Sequence, residues 1–90
     1  MKFNTKVIHG GQHHDPSTGA VMPPVYQTST FVQTSPGQPL NPDYEYSRAA
    51  NPTRSALENA LASIENGTRG LAFSSGLAAT DCVLRSFKSG

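Results

Sequence analysis

The prolines divide this chain into two unlike parts. All seven lie between Pro16 and Pro52 of the 90-residue sequence. Proline fixes φ and lacks a backbone N–H, so a segment rich in it favours extended chain and turns over helices and central strands. All four arginines lie at or after Arg48. We therefore predict an extended N-terminal arm over residues 1–50 and regular α/β structure over residues 51–90.

The second part is short for an independent fold. It offers about 40 residues, near the lower limit at which a chain folds without extra support. The pattern predicts a helix, a strand and a second helix, and these three elements cannot bury their own faces or supply a parallel sheet. We therefore expect an N-terminal piece of a longer protein, or one part of an assembly.

Charge and cysteine content exclude several classes of partner. The formal net charge is +1, so no strong field favours nucleic acid or membranes, and no apolar run is long enough to cross a bilayer. The single cysteine, Cys82, excludes an internal disulfide and is expected to be a small buried hydrophobe. The N-terminus lacks the apolar segment of a signal peptide, so we expect a cytoplasmic location.

The arm is predicted to consist of three segments. Residues 1–20 contain the turn signals Gly10-Gly11 and Asp15-Pro16 and indicate a loop or arm. Residues 21–34 favour a strand or extended chain, because β-branched and aromatic residues follow a Pro-Pro pair. Residues 35–44, rich in Pro, Gly and Asn, indicate a loop.

Two adjacent histidines, His13 and His14, raise the question of a metal site. Neighbouring side chains point in different directions in most conformations, and no Cys or H-x-x-x-H spacing accompanies this pair. We interpret them as solvated loop residues and predict no metal site.

The stretch from Gly70 to Ala79 predicts a buried strand, a tight turn and a helix start. Ser74 or Ser75 would cap the helix, which begins near Leu77. Such a junction directs unpaired N–H groups and the positive end of the helix dipole at one point, and an anion, most often a phosphate, occupies such points. An ordinary strand–helix turn without a ligand is the alternative.

Known phosphate and nucleophile motifs do not match this turn. Phe73-Ser74-Ser75-Gly76-Leu77 lacks the first glycine of the G-x-S-x-G nucleophile elbow. The glycine spacing fits neither a P-loop nor a dinucleotide-binding fingerprint. The pattern therefore favours a phosphate-bearing ligand of another kind.

A second candidate site lies at the end of the arm. Tyr46 and Arg48 are two residues apart and would face the same way in an extended backbone. A phenol beside a guanidinium suits a phosphate or a carboxylate. The alternative is an exposed polar strand end.

Two helices are predicted around these sites. The first covers about residues 52–66, with Asn51 as N-cap, Pro52 at the first helical position and Asn66-Gly67 as the stop. The second follows Ser75, and Asp81 and Arg85 would pair on its exposed face.

These motifs together resemble the pyridoxal-phosphate (PLP)-dependent enzymes of Cys/Met metabolism. The family includes cystathionine γ-synthases, cystathionine γ- and β-lyases, methionine γ-lyases and homoserine sulfhydrylases. The resemblance spans essentially the whole chain and is carried by Tyr46-Ser47-Arg48, Asn51-Pro52-Thr53-Arg54, Phe73 to Ala79, and in the arm Val7 to Gly11, Gly19 to Val21, Pro24 and Ser29 to Phe31.

The resemblance implies a fold, a cofactor and site residues. The fold would be α/β: an arm, the first helix and a βα unit of the large domain of a PLP-dependent transferase (aspartate aminotransferase-like, fold type I). The cofactor would be pyridoxal 5'-phosphate. Tyr46 and Arg48 would bind the cofactor phosphate of a neighbouring subunit, and the N–H groups of Gly76 and Leu77 the phosphate of their own subunit. Family members are homodimers or homotetramers with shared active sites.

The same resemblance implies that no catalytic residue lies in this stretch. The lysine to which the family attaches its cofactor lies far downstream, and Lys2, Lys6 and Lys88 are in no matching context. We therefore expect the N-terminal part of a transsulfuration enzyme of the cystathionine γ-synthase or γ-lyase type. Its substrates would be small amino acids: sulfur amino acids or O-acylhomoserine, acted on by elimination or replacement. The alternative is a non-catalytic interaction module that docks on another chain.

Overall fold

The computed structural model describes residues 1–89 and contains three helices and one small hairpin. Within that range no helix is both long and apolar enough to span a membrane. In chain order the elements are α1 (Phe3–His9), β1 (Gln33–Ser35), β2 (Gln38–Pro39), α2 (Pro52–Ile64) and α3 (Gly76–Arg85). Helix α2 is the longest of these elements; α1 packs against it, whereas the hairpin and α3 do not.

Both ends of α2 are confirmed as predicted. Asn51 is extended, and its side chain accepts a hydrogen bond from the N–H of Thr53 at 2.9 Å. At the other end Asn66 adopts a left-handed conformation with φ 54°, and the N–H of Gly67 donates to the carbonyl of Ala62 at 2.8 Å. This is the Schellman arrangement, with asparagine rather than glycine as its left-handed residue.

Helix α1 occupies part of the segment that we predicted to be a loop. Its seven residues contain no proline or glycine, and the helix ends at the predicted Gly10-Gly11 turn. Lys6 Nζ donates to Asn66 Oδ1 at 2.8 Å, which ties α1 to the end of α2. Gly11 has φ 68°, and a Cβ there would overlap the backbone carbonyl of Asn59. The prediction was wrong because packing against a helix some 50–60 residues later stabilises α1, and no local pattern contains that contact.

The hairpin β1–β2 lies across the predicted boundary between strand and loop. Gln33 pairs with Pro39, and Ser35 with Gln38, in antiparallel register. The chain reverses at Pro36-Gly37, where Gly37 has φ 76°. Proline followed by a glycine of positive φ is typical of a type II turn, so the loop prediction for residues 35–44 is corrected to a short hairpin with its connections.

The carboxylate of Asp15 organises the turn that follows it. The hydroxyls of Thr18 and Ser17 donate to Asp15 Oδ2 at 2.6 and 2.7 Å, and the N–H of Thr18 donates at 3.0 Å. These donors, the Thr18 hydroxyl foremost, hold the pKa of Asp15 below its usual range. The turn is therefore stabilised above the ordinary carboxyl pKa, and this stabilisation is lost as the pH falls through the lowered value.

The predicted buried strand at Leu71–Phe73 does not form among the described residues. The segment runs along α2 instead. A Cβ at Gly70 would overlap the backbone carbonyl of Glu58, and the N–H of Ala72 donates to Glu58 Oε2 at 2.7 Å. A parallel strand requires neighbouring strands for its hydrogen bonds, and residues 1–89 contain none beside this segment.

No hydrophobic side chain is buried within residues 1–89. Cys82 is exposed, contrary to our expectation, and its neighbour Val83 on α3 and Phe87 just beyond the helix are exposed as well. The physical reason is that the described residues provide no layer against which this face of α3 can pack. The helices therefore have apolar faces, but no hydrophobic side chain on them is fully buried.

We predict that a polypeptide restricted to residues 1–90 will show no cooperative thermal unfolding. Burial of apolar surface is the main term that offsets conformational entropy, and residues 1–89 bury no hydrophobic side chain. Far-UV circular dichroism should change gradually over tens of degrees, a broad range compared with a two-state transition. A single sharp transition with an accompanying calorimetric peak would contradict this expectation.

Candidate functional site

Tyr46 and Arg48 lie in direct contact. Arg48 Nη2 donates to Tyr46 Oη at 3.3 Å, and the guanidinium carbon lies 5.0 Å from the centre of the tyrosine ring. Such a distance allows a cation–π interaction, which orients the two side chains relative to each other. Tyr46 is 40% exposed and Arg48 is exposed, so both polar groups are accessible to a ligand.

The backbone between them differs from the prediction. It forms a turn at Ser47–Ala49, in which the N–H groups of Ala49 and Ala50 both donate to the carbonyl of Tyr46, at 2.9 and 3.0 Å. The expected proximity of the two side chains is therefore correct, but it arises from a turn and not from the alternation of an extended strand.

Arg54, in the first turn of α2, binds this turn through its guanidinium. Nη1 donates to the carbonyls of Ser47 and Arg48 at 3.0 and 3.2 Å, and Nη2 donates to the carbonyl of Ala49 at 2.7 Å. From the sequence we included Arg54 in the motif Asn51-Pro52-Thr53-Arg54 but predicted no function for it. A signal was present: an arginine in the first turn of a helix lies at the positive end of the helix dipole, which is unfavourable unless other acceptors compensate it.

The buried side chain of Asn51 joins the same turn to an earlier segment of the arm, at Tyr26. Asn51 is 9% exposed, and its Nδ2 donates to the carbonyl of Tyr26 at 3.1 Å and to Ser47 Oγ at 3.0 Å. The Ser47 hydroxyl in turn donates to the carbonyl of Thr28. One amide therefore caps α2 and connects two separate segments.

Thr53 and the backbone of the turn complete the attachment of the arm. Thr53 Oγ1 donates to the carbonyl of Pro24 at 2.9 Å and accepts from the N–H of Tyr26 at 2.7 Å. The N–H of Ser47 donates to the carbonyl of Ser29 at 2.9 Å, and Thr30 pairs with Tyr46 in a single antiparallel β-bridge. The arm is thus hydrogen-bonded along the start of α2, and this fixes the position of the Tyr46–Arg48 pair.

The N-terminus of α3 presents free backbone donors. Ser75 caps the helix, because its Oγ accepts from the N–H of Ala78 at 3.1 Å. Within residues 1–89 no hydrogen bond uses the N–H of Gly76 or Leu77. The Leu77 side chain is 79% exposed, and a Cβ at Gly76 would meet no heavy atom within 4 Å. Two unpaired N–H groups at an open helix start can bind an anionic oxygen.

The two candidate clusters do not meet within the described part of one chain. No hydrogen bond between residues 1 and 89 joins the Tyr46–Arg48 pair to Gly76 or Leu77, and the space around the Gly76 Cβ position contains no other side chain. A groove between the arm and α2 is lined by other residues, His13 and His14 among them. In the same range no three His, Cys, Asp or Glu side chains are grouped so that they could hold a metal ion.

Comparison with known proteins relates this geometry to a family. The profile described as Cys/Met metabolism PLP-dependent enzyme matches residues 4–90. A cystathionine beta-lyase of Lactococcus lactis is 57% identical over 88 residues, which are 98% of this chain and 23% of that protein. A cystathionine gamma-synthase of Mycobacterium tuberculosis is 54% identical over 81 residues, which are 90% of this chain and 21% of that protein.

A solved structure shows the same backbone arrangement. The crystal structure of cystathionine gamma-lyase from Lactobacillus plantarum, complexed with L-serine, matches with a TM-score of 0.85 and 50% identity. The match covers 100% of this chain and 23% of that one. The chain therefore spans about a quarter of the length of the relatives it matches.

Proposed function

Because the chain belongs to the family of Cys/Met metabolism PLP-dependent enzymes, we propose that it forms the N-terminal part of a PLP-dependent transsulfuration enzyme. The proposed reaction is an elimination or replacement of the cystathionine γ-synthase or γ-lyase type, on sulfur amino acids or O-acylhomoserine. The observation that carries the proposal is the family match over residues 4–90, which includes both candidate clusters. A separate docking module is less favoured, because the relatives continue well beyond the region that this chain matches.

The residues present suit the phosphate group of PLP. A phosphate accepts several strong hydrogen bonds, and the chain offers an exposed guanidinium, a phenol and two unpaired N–H groups at a helix N-terminus. Arg48, Tyr46, Gly76 and Leu77 would therefore hold the cofactor through its phosphate. PLP, when bound, acts as an electron sink that stabilises negative charge on the substrate carbon next to the amino group.

We propose that the two clusters bind phosphates in different subunits of a homodimer, two of which form a tetramer. Gly76 and Leu77 would bind the cofactor of their own subunit, and Tyr46 and Arg48 that of the neighbouring subunit. The separation of the clusters within one chain supports this assignment, because no contact among residues 1–89 brings them to a common ligand.

The chain's similarity does not distinguish between the reactions of its relatives. Proteins named beta-lyase, gamma-synthase and gamma-lyase are 57%, 54% and 50% identical to it. All three kinds of enzyme must retain PLP, so sequence features that they share would serve cofactor binding. The choice of substrate would depend on residues outside this stretch.

The first test is the presence of the cofactor. We expect the purified full-length protein that contains this chain to be yellow and to release about one PLP per subunit, because each subunit would hold one cofactor. Visible absorbance and mass spectrometry of the released cofactor provide the measurement. A colourless protein without PLP, purified in the presence of added cofactor, would refute the proposal.

A second test isolates the backbone donor at Gly76. Proline is compatible with the first helical position, and Ser75 before it is already extended, so Gly76→Pro removes one N–H and keeps the helix start. Gly76→Ala is the matched control, since both variants add a Cβ and only proline removes the donor. We expect the proline variant to bind PLP about 10- to 100-fold more weakly than the alanine variant, the range for a hydrogen bond to a charged group.

The result would be measured by titration of the cofactor-free enzyme with PLP, followed by fluorescence. Equal affinities of the two variants would show that this N–H does not contact the phosphate.

A third test concerns sharing between subunits. Arg48→Ala and a variant that lacks the cofactor-binding lysine should each be inactive, or nearly so, as homo-oligomers. In a mixed dimer the subunit carrying Arg48→Ala retains its lysine and receives an intact Arg48 from the other subunit. We therefore expect one of the two sites, about half of the wild-type activity per dimer, to be restored, since the two defects then fall in the same site. A mixed dimer without activity would argue against sharing across the interface.

A further inference from the structure

We propose that Arg54 is a positioning residue for the cofactor phosphate and acts through the Ser47–Ala49 turn. This inference rests on the proposed function, because it assumes that Tyr46 and Arg48 bind PLP. Arg54 would not touch the cofactor. It would hold the backbone from which the Tyr46 and Arg48 side chains project.

The geometry of the guanidinium carries the inference. Its two terminal nitrogens donate to three consecutive carbonyls, those of Ser47, Arg48 and Ala49, at 2.7 to 3.2 Å. A planar fork can satisfy several acceptors at fixed angles, whereas a lysine ammonium is a single point donor on a flexible stem. Three consecutive acceptors on one fork determine the path of the turn.

The burial and hydrogen-bond partners of Arg54 also support the inference. Arg54 is half-buried and both of its terminal nitrogens bind backbone carbonyls, while the Arg48 side chain is exposed and, among the described residues, its guanidinium hydrogen-bonds only to Tyr46. The two arginines therefore have different functions: Arg48 remains available for an anion, and Arg54 is engaged with the turn. A positive charge in the first turn of a helix is unfavourable, so the carbonyls provide the compensation that keeps it there.

The test uses the full-length enzyme from which the cofactor has been removed. PLP and pyridoxal, which lacks the phosphate, are titrated separately and followed by fluorescence. The variants are Arg54→Met, which removes the fork and the charge, and Arg54→Lys, which keeps the charge and removes the fork. Arg85→Met is the matched control, since Arg85 forms an exposed ion pair with Asp81 at 2.9 Å on another helix.

We expect both Arg54 variants to bind PLP about 10- to 100-fold more weakly, the range typical of residues that orient the ligands of a bound group. Pyridoxal affinity should stay within about twofold of wild type, because the phosphate contacts alone are weakened. Arg85→Met should bind both compounds like wild type.

A combined variant distinguishes an action of Arg54 through Tyr46 and Arg48 from an independent action. In a protein that already carries Tyr46→Phe and Arg48→Ala, the change Arg54→Met should cause little further loss of PLP affinity, because the polar groups that Arg54 positions are gone. Losses that multiply would overturn the proposal. An equal loss of PLP and pyridoxal affinity would also overturn it, because Arg54 would then support the protein in general.

The failures of the two proposals are distinguishable. A wild-type enzyme that binds no PLP refutes the proposed function and, with it, this inference. A wild-type enzyme that binds PLP, with Arg54 variants that bind it equally well, refutes only the inference. If Arg54→Met fails to fold, judged by circular dichroism and oligomeric state, the comparison of Arg54→Lys with wild type decides.

Discussion

The hydrogen bonds of the buried Asn51 amide are the constraint on which the site depends. The carbonyl oxygen caps α2, and the NH₂ group donates to the carbonyl of Tyr26 and the hydroxyl of Ser47. Aspartate or serine serves equally well as an N-cap, but neither can supply both donors. Loss of the NH₂ group would remove two hydrogen bonds, each of which contributes about 0.5–1.5 kcal/mol to stability. Helix start, turn and arm therefore depend on one side chain.

The features that could be predicted from sequence are those fixed by residues close together in the chain. Asn51 and Ser75 cap their helices through N–H groups two and three residues away. Asn66 ends α2 through its own conformation, and Asp81 pairs with Arg85 one helical turn later. Short-range geometry is similar in every protein, so the residue types alone indicate it. Tyr46 and Arg48, two residues apart, were recognisable as a pair for the same reason.

The features that could not be predicted depend on contacts between residues that are far apart in the sequence. Helix α1 is tied by Lys6 to Asn66, 60 residues away, and nothing in its own sequence indicates that contact. The segment Leu71–Phe73 has a composition typical of a strand, but a strand forms only beside other strands. In this structure the N–H of Ala72 donates to the Glu58 carboxylate instead. Cysteine is a residue type that is often buried, but Cys82 lies on a face of α3 that the described residues do not cover. Burial depends on which elements pack together, and the residue pattern of one segment does not specify that packing.

The short sequence separations around Arg54 have a consequence for the order of assembly. Arg54 and the three carbonyls that it binds are only five to seven residues apart. Contacts of such low order require little loop closure and can form on the timescale of the helix itself. The turn that carries Tyr46 and Arg48 can therefore take shape while the chain is still being synthesised. In the dimer that we propose, each chain would then shape its own contact surface first, and dimerisation would join two surfaces that are already formed.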